Sequence, residues 1–206
     1  MGEHRNGPGR SEQNRIRIAQ EAARLMTEHG IQDFAAAKRK AAERLGLPTQ
    51  RHLPTNLEIE QALINHQRLF RAGSQPVHLR RLRNTARQAM RLMLDFQPRL
   101  VGPVLTGTAD AHSPVNLHLF SETPEQVDVF LMDRHIPHSW DERVVRLNTD
   151  QQERYPVCRL VADEVTVEMT VFPPIGLRQP PLSPVDGRPM RRAAIDTVEQ
   201  LLETDT

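Results

Sequence analysis

The sequence predicts an α+β fold in which a helical N-terminal region is followed by a small mixed β-sheet with flanking helices. The first observation is a change in hydrophobic period at about residue 99, from helical spacing to short runs rich in β-branched residues. The second is the run Val115–Phe120, in which apolar and polar residues alternate. The third is the length of 206 residues, which is sufficient for one large domain or two small ones.

Capping residues and glycines delimit four helices in the first half of the chain. Asp33 is placed to cap the second helix, and Thr55 with Glu58 has the spacing of a capping box for the third. We expect these helices at about residues 14–29, 33–45, 55–70 and 77–95. The organisation that follows is a disordered tail at 1–13, a helical region at 14–75 and an α+β domain at 76–206.

The second half alternates between strands and helices. Short apolar runs predict strands at residues 100–105, 115–120, 143–147, 157–161 and 165–172. Thr123 followed by proline begins a helix after the second strand, and Asp163 with Glu164 suits a hairpin turn. A proline-rich loop and a last helix at about 191–203 complete the chain.

Composition excludes several classes of protein. No apolar run approaches the roughly 18 residues of a membrane span, and the single cysteine excludes a disulfide scaffold. No apolar stretch follows the first ten residues, as a secretory signal would need, so we expect a cytoplasmic protein with no membrane partner. Residues 1–99 carry 18 basic against 9 acidic residues, whereas residues 100–206 carry 9 against 17. This asymmetry favours either an anionic partner for the first half or an electrostatic contact between the halves.

The stretch from residue 100 to residue 120 carries the strongest motif. A strand, a glycine-containing turn, Gly-Thr-Ala, a serine and an alternating strand follow one another. This order resembles the polymerase β-like nucleotidyltransferase superfamily, and the resemblance extends from Leu100 to Phe172. It implies a nucleotide site formed by Gly102, Gly107, Thr108 and Ser113. It also implies that Glu168, on the strand that usually brings a third metal carboxylate, lies beside Asn116.

The sequence departs from the superfamily where the metal chemistry resides. The phosphate-binding serine of the superfamily falls on Pro103, and its two metal carboxylates fall on Pro114 and Asn116. Two divalent cations facing a triphosphate need anionic oxygen ligands, which neither proline nor asparagine supplies. The chain therefore resembles a catalytically degenerate member. Mg²⁺ or Mn²⁺ is expected only if the chain is active, with Asn116 and Glu168 as the catalytic candidates.

Other side chains offer replacement metal ligands. Four residues could converge on one cation: Asp110, His112, His118 and Glu168. Imidazole ligands would favour Zn²⁺ or Mn²⁺ over Mg²⁺. The alternative is a polar strand face beside a solvated turn. His135 and His138 have a spacing that suits either a shared metal or a helix C-terminus. Cys158 lies in a strand-like run, which favours a buried and inert thiol.

An arginine stripe marks the fourth helix. At 100° per residue, four arginines fall within about 80° of arc: Arg80, Arg83, Arg87 and Arg91. They repel one another, and no glutamate is interleaved to relieve the repulsion. The stripe could meet the phosphates of a nucleotide or nucleic acid, dock on the acidic second half of the chain, or remain solvated.

These patterns together predict a nucleotidyltransferase-like protein that binds a nucleotide or nucleic acid without catalysis. Two alternatives stay open at this point. One is an active nucleotidyltransferase with rearranged metal ligands, and the other is a non-catalytic protein-interaction domain.

Overall fold

The structure, a computed structural model, describes residues 9–48, 53–70 and 75–204. Contacts divide the chain into two units, Met1–Ala72 and Gly73–Thr206. The described residues form seven α-helices and a five-stranded mixed sheet, and the helical region precedes the sheet. The predicted α+β class is confirmed.

Three helices form the first unit, and their predicted caps are present. They are α1 (Arg10–His29), α2 (Phe34–Arg44) and α3 (Asn56–Phe70). The Asp33 carboxylate accepts from the Ala36 amide at 2.6 Å. The Thr55 amide donates to the Glu58 carboxylate at 2.7 Å, and the Glu58 amide donates to the Thr55 hydroxyl at 3.2 Å, which completes the capping box. Because α2 and α3 each pack small or branched side chains against α1, the three helices bury a common core.

The predicted tail at 1–13 is wrong in its last part. Residues 10–13 belong to α1, because the amides of Glu12 and Gln13 donate to the Gly9 carbonyl and begin the helix there. Residues 1–8 lie outside the described residues.

The second unit contains the sheet. Its helices are α4 (Gln75–Leu92), α5 (Pro103–Thr106), α6 (Pro124–Asp133) and α7 (Ile195–Thr204). Its strands are β1 (Arg99–Val101), β2 (Val115–Phe120), β3 (His138–Arg146), β4 (Gln152–Ala162) and β5 (Val165–Phe172). Two short 3₁₀ turns, Leu94–Phe96 and Pro174–Leu177, follow α4 and β5.

The strand order is β1-β2-β5-β4-β3, and only the central pair β2–β5 is parallel. Side chains alternate across a strand, so each strand offers one set of residues to each face of the sheet. One face is apolar and packs against α4, α6 and α7 through fully buried residues such as Leu117, Met169 and Cys158. The opposite face carries polar and charged side chains near the start of β2 and β5.

Several predicted boundaries are corrected by the structure. The strand predicted at 100–105 ends at Val101, because Gly102 turns the backbone at φ 72° and Pro103 begins α5. The strand predicted at 143–147 begins five residues earlier, at His138. The last helix begins at Ile195 rather than 191, because Ala193 pairs in a β-bridge with Leu100 and keeps the preceding chain extended.

Two local predictions are confirmed. The strand at 165–172 has the predicted bounds. Asp163 and Glu164 form the hairpin turn between β4 and β5, and both have positive φ, as the twist of a tight hairpin requires.

Candidate functional site

The candidate site lies on the face of the sheet opposite the helices. We call it the polar cluster, and it consists of five residues on four neighbouring strands: Asn116, Asp141, Arg143, Arg159 and Glu168. Period-two alternation places them on one face, because the strands are in register with Asn116 opposite Glu168 and Glu168 opposite Arg159. The predicted juxtaposition of Asn116 and Glu168 is confirmed.

Two arginines hold the Glu168 carboxylate. Arg159 Nε donates to Glu168 Oε1 at 2.9 Å, and Arg143 donates to Glu168 Oε2. The Glu168 side chain is only 14% exposed, whereas those of Arg143 and Arg159 are 41% and 37% exposed. The carboxylate thus lies beneath two guanidinium groups that face solvent.

The remaining two members extend this network. Arg159 Nη1 donates to Asp141 Oδ2 at 2.6 Å, which lowers the pKa of Asp141. Arg143 Nη1 donates to Asn116 Oδ1 at 3.5 Å, and Asn116 Nδ2 donates to the Pro114 carbonyl at 3.3 Å. The amide of Asn116 is therefore oriented by its own strand and by Arg143.

The predicted metal ligands do not converge. Within residues 9–48, 53–70 and 75–204, no group of three His, Cys, Asp or Glu side chains is arranged to hold a metal ion. The Asp110 carboxylate is buried and accepts from the Ser113 hydroxyl at 3.1 Å and from the His112 amide at 2.9 Å. Asp110 and Ser113 thus stabilise the turn before β2, and Glu168 is bound by arginine.

His118 is paired with an arginine from the C-terminal loop. Arg192 Nε donates to His118 Nδ1 at 3.0 Å, and Arg192 Nη1 donates to the Gly176 carbonyl at 2.6 Å. Burial, followed by the charges of Arg192 and Arg143, lowers the pKa of His118 to about 3. His118 is therefore a neutral acceptor that fastens the loop across the sheet.

The turn predicted to bind nucleotide phosphates uses its amides internally. The amides of Leu105 and Thr106 donate to the Gly102 carbonyl, and those of Gly107 and Thr108 donate to the Pro103 carbonyl. Pro103 itself has no N–H to offer. Gly102 lies against Asn116, since a Cβ at Gly102 would lie 3.6 Å from Asn116 Nδ2. Of the four predicted nucleotide-binding residues, Gly102 thus lies beside the polar cluster and Gly107 lies against Leu79 and Arg83 of α4. Thr108 follows Gly107 in the closed turn, and Ser113 belongs to the next turn, before β2.

The arginine stripe on α4 is not one exposed surface. Arg83 is only 5% exposed and donates to the Val104 carbonyl of α5 at 3.3 Å, so it is not solvated as one of the alternatives required. Arg91 pairs with Glu199 of α7 at 2.6 Å. Arg80 is exposed and Arg87 is half-buried. The Arg91–Glu199 pair agrees with the expectation of a contact with the acidic half of the chain.

Two further candidates are structural. His138 does not share a site with His135, because its Nε2 meets Asp128 Oδ1 at 2.7 Å and its Nδ1 meets the Ile136 carbonyl. Trp140 Nε1 donates to the same Asp128 oxygen, so α6 is fastened to β3. Cys158 is fully buried, and burial raises the pKa of its thiol to about 12.

Sequence reasoning missed the arginines of the polar cluster. In the sequence, Arg143 and Arg159 lie within predicted strands, 25 and 9 residues before Glu168, and no motif singles them out. The available signal was an arginine on each of the two strands that precede β5. Predicting from these two arginines that both contact Glu168 would have required the register of β3, β4 and β5.

None of the described helices is long and apolar enough to span a membrane. Comparisons of the chain with protein-family models, curated proteins and solved structures find no match.

Proposed function

We propose that the chain is a catalytically inactive, nucleotidyltransferase-like protein that binds the phosphates of a nucleotide or nucleic acid without a divalent cation, at the polar cluster. The observation that carries the proposal is the pair of guanidinium groups on Glu168. In the superfamily that the sequence resembles, this strand brings a carboxylate to a metal ion. Here positive charge at that place comes from Arg143 and Arg159.

The order of elements supports the proposal. A helix, α4, precedes β1, Gly102 ends β1, and β2 pairs in parallel with β5 so that Asn116 faces Glu168. The resemblance implied the preceding helix, the place of Gly102 and the juxtaposition of Asn116 with Glu168, and the parallel sense of the pairing was not part of it. Without carboxylates on β2, no step of two-metal phosphoryl transfer can be assembled from the cluster.

The chemistry of the cluster supports anion binding. Guanidinium groups bind phosphate through two parallel N–H donors and retain their charge at every physiological pH. Arg143 and Arg159 each direct part of the guanidinium to Glu168 and leave more than a third of the side chain exposed. A phosphate approaching from solvent meets these two cations before it meets the Glu168 carboxylate beneath them, while the exposed Asp141 carboxylate, which pairs with Arg159, opposes it.

Calorimetric titration with ATP, CTP, GTP and UTP tests the proposal, in EDTA and again with Mg²⁺. We expect binding in EDTA that Mg²⁺ does not strengthen. Affinity should weaken as salt rises, because phosphate contacts compete with ions. Arg143→Gln should weaken binding by about tenfold, the value of one charge-assisted hydrogen bond.

The matched control is Arg146→Gln, which removes the same charge from an exposed position on the same strand. Equal effects of the two substitutions would contradict the proposal, as would binding that requires Mg²⁺. Product formation from any of the four nucleotides would favour the active nucleotidyltransferase instead.

A further inference from the structure

A polar cavity lies in the sheet-containing unit, and no residue of the polar cluster lines it. Its volume is about 250 Å³. It is bounded by α4, by the turn before β2 and by the β4–β5 hairpin, and its polar lining residues are His78, Arg81, His112, Ser113, Glu164 and Thr166. None of these belongs to the polar cluster.

The lining carries more basic than acidic groups. Arg81, His78 and His112 contribute one guanidinium and two imidazoles, against the single carboxylate of Glu164. The Glu164 side chain is 91% exposed, so its charge is largely screened by water. The nearby Asp110 carboxylate is committed to the turn, where it accepts from Ser113 and from the His112 amide.

Arg81 is held in place by hydrogen bonds that use only some of its N–H donors. Its Nη2 donates to the Asp163 carbonyl at 2.5 Å and to Glu164 Oε2 at 3.2 Å. In the described part of the chain its Nε and Nη1 make no hydrogen bond. Since guanidinium carries five N–H donors, most of them remain for a ligand. The contact with the hairpin holds the side chain in the lining of the cavity, which reduces the entropy that binding would cost.

The turn before β2, which also lines the cavity, is held by its own hydrogen bonds. The Ser113 hydroxyl both donates to the Asp110 carboxylate and accepts from the Asp110 amide at 2.9 Å. These bonds fix the turn that presents His112. The cavity is thus lined by α4 and by two anchored segments, and it has room for a phosphate group with its first waters or a small organic substituent.

We propose that this cavity binds a small oxyanion, inorganic phosphate or the phosphate group of a monoester, with Arg81 as the principal ligand and His78 and His112 as further donors. Such a site is distinct from the polar cluster and does not depend on the function proposed for it. Glu164 opposes the anion and weakens its binding.

Titration of the full chain with inorganic phosphate, followed by NMR of the backbone amides of Ser113, Val165 and Thr166, tests the proposal. We expect saturable shifts at these amides. Arg81→Gln should weaken the affinity by about tenfold, because a charge-assisted hydrogen bond is lost. Glu164→Gln should strengthen it, because the one carboxylate of the lining becomes neutral.

The matched control is Arg80→Gln, which removes the same charge from the adjacent exposed residue of α4 that does not line the cavity. It should leave the affinity unchanged. A parallel titration with glycerol phosphate identifies the source of the anion: tighter binding than phosphate indicates a monoester, and equal or weaker binding indicates the free ion.

Shifts that rise linearly without saturation would overturn the proposal. So would equal affinities of the Arg81→Gln and Arg80→Gln proteins, or weaker binding by Glu164→Gln. Arg143→Gln distinguishes the two sites, since it should reduce nucleotide binding at the polar cluster and leave phosphate binding at this cavity intact.

Discussion

Replacing Glu168 by glutamine should destabilise the sheet-containing unit more than replacing either arginine that contacts it. Glu168 is 14% exposed and accepts hydrogen bonds from two guanidinium groups. Glutamine keeps one acceptor oxygen, so one of the two bonds is lost and the two cations face each other without a charge between them. The asymmetry follows from burial, because the arginines can turn to water and the carboxylate cannot.

The magnitude follows from the exposure of each partner. A hydrogen bond to a charged group contributes about 1.5–3 kcal/mol when desolvated, and an exposed ion pair contributes about 0.2–1 kcal/mol. Discounting for the exposed arginines, we expect Glu168→Gln to cost about 2 kcal/mol and Arg143→Gln about 0.5 kcal/mol. For a unit of this size, each kcal/mol lowers Tm by roughly 4 °C.

Urea unfolding followed by tryptophan fluorescence measures this difference. Trp140 is the single tryptophan and lies on β3, so its emission reports on the sheet. The control is Glu142→Gln, which breaks an exposed ion pair between Glu142 of β3 and Arg154 of β4 and should cost less than about 0.5 kcal/mol. The reasoning is refuted if Glu168→Gln is no more destabilising than this control.

Three further predictions concern titratable groups. Because the pKa of His118 is about 3 in the folded protein against 6.5 in the unfolded chain, the free energy of unfolding should fall as pH drops below about 6.5. Urea unfolding at several pH values should show a weaker dependence on pH for His118→Asn, and an unchanged dependence would contradict the prediction. The hydrogen bond with Asp128 raises the pKa of His138, so the stabilisation from this bond is present below pH 6.5 and is lost as pH rises through the folded pKa. NMR titration of His138 in the Asp128→Asn protein should show the pKa return toward 6.5, and no change would disprove the assignment. Cys158, with a thiol pKa of about 12, should react with a thiol reagent only after unfolding, and fast labelling of the native protein would show that the strand is open.

The sequence predicted those parts of the fold that depend on local chemistry. The caps of α2 and α3 involve residues three apart, and both were visible as spacings. The β4–β5 hairpin was visible because Asp163 and Glu164 join two apolar runs. The prediction that Glu168 lies beside Asn116 came from the resemblance, whereas the parallel direction of their strands did not.

Other parts depend on tertiary contacts that no local pattern encodes. The first half of β3, around Trp140 and Asp141, is exposed because β3 is an edge strand of the sheet, so it lacks the apolar alternation that identifies a strand. The arginine stripe was predicted from helical spacing alone, which could not show that residues 103–106 lie against Arg83. They form α5, whose Val104 carbonyl accepts from Arg83 and covers it.

The polar cluster required both kinds of information. Glu168 was predicted from the resemblance as a metal carboxylate without its partners. Only the register of β3, β4 and β5 brings Arg143 and Arg159 to it. That register changes the chemistry of the position, because a carboxylate neutralised by two guanidinium groups has little affinity left for a divalent cation.

Electron paramagnetic resonance of Mn²⁺ tests this replacement of metal by arginine most directly, because free Mn²⁺ gives a signal that falls when the ion is bound. The account predicts that adding the protein leaves the signal unchanged. It also predicts that a variant carrying Pro114→Asp, Asn116→Asp and Arg143→Gln, once shown to be folded, lowers the signal, since acidic oxygens then face Glu168. Stoichiometric binding of Mn²⁺ by the unaltered protein, abolished by Glu168→Gln, would contradict the account.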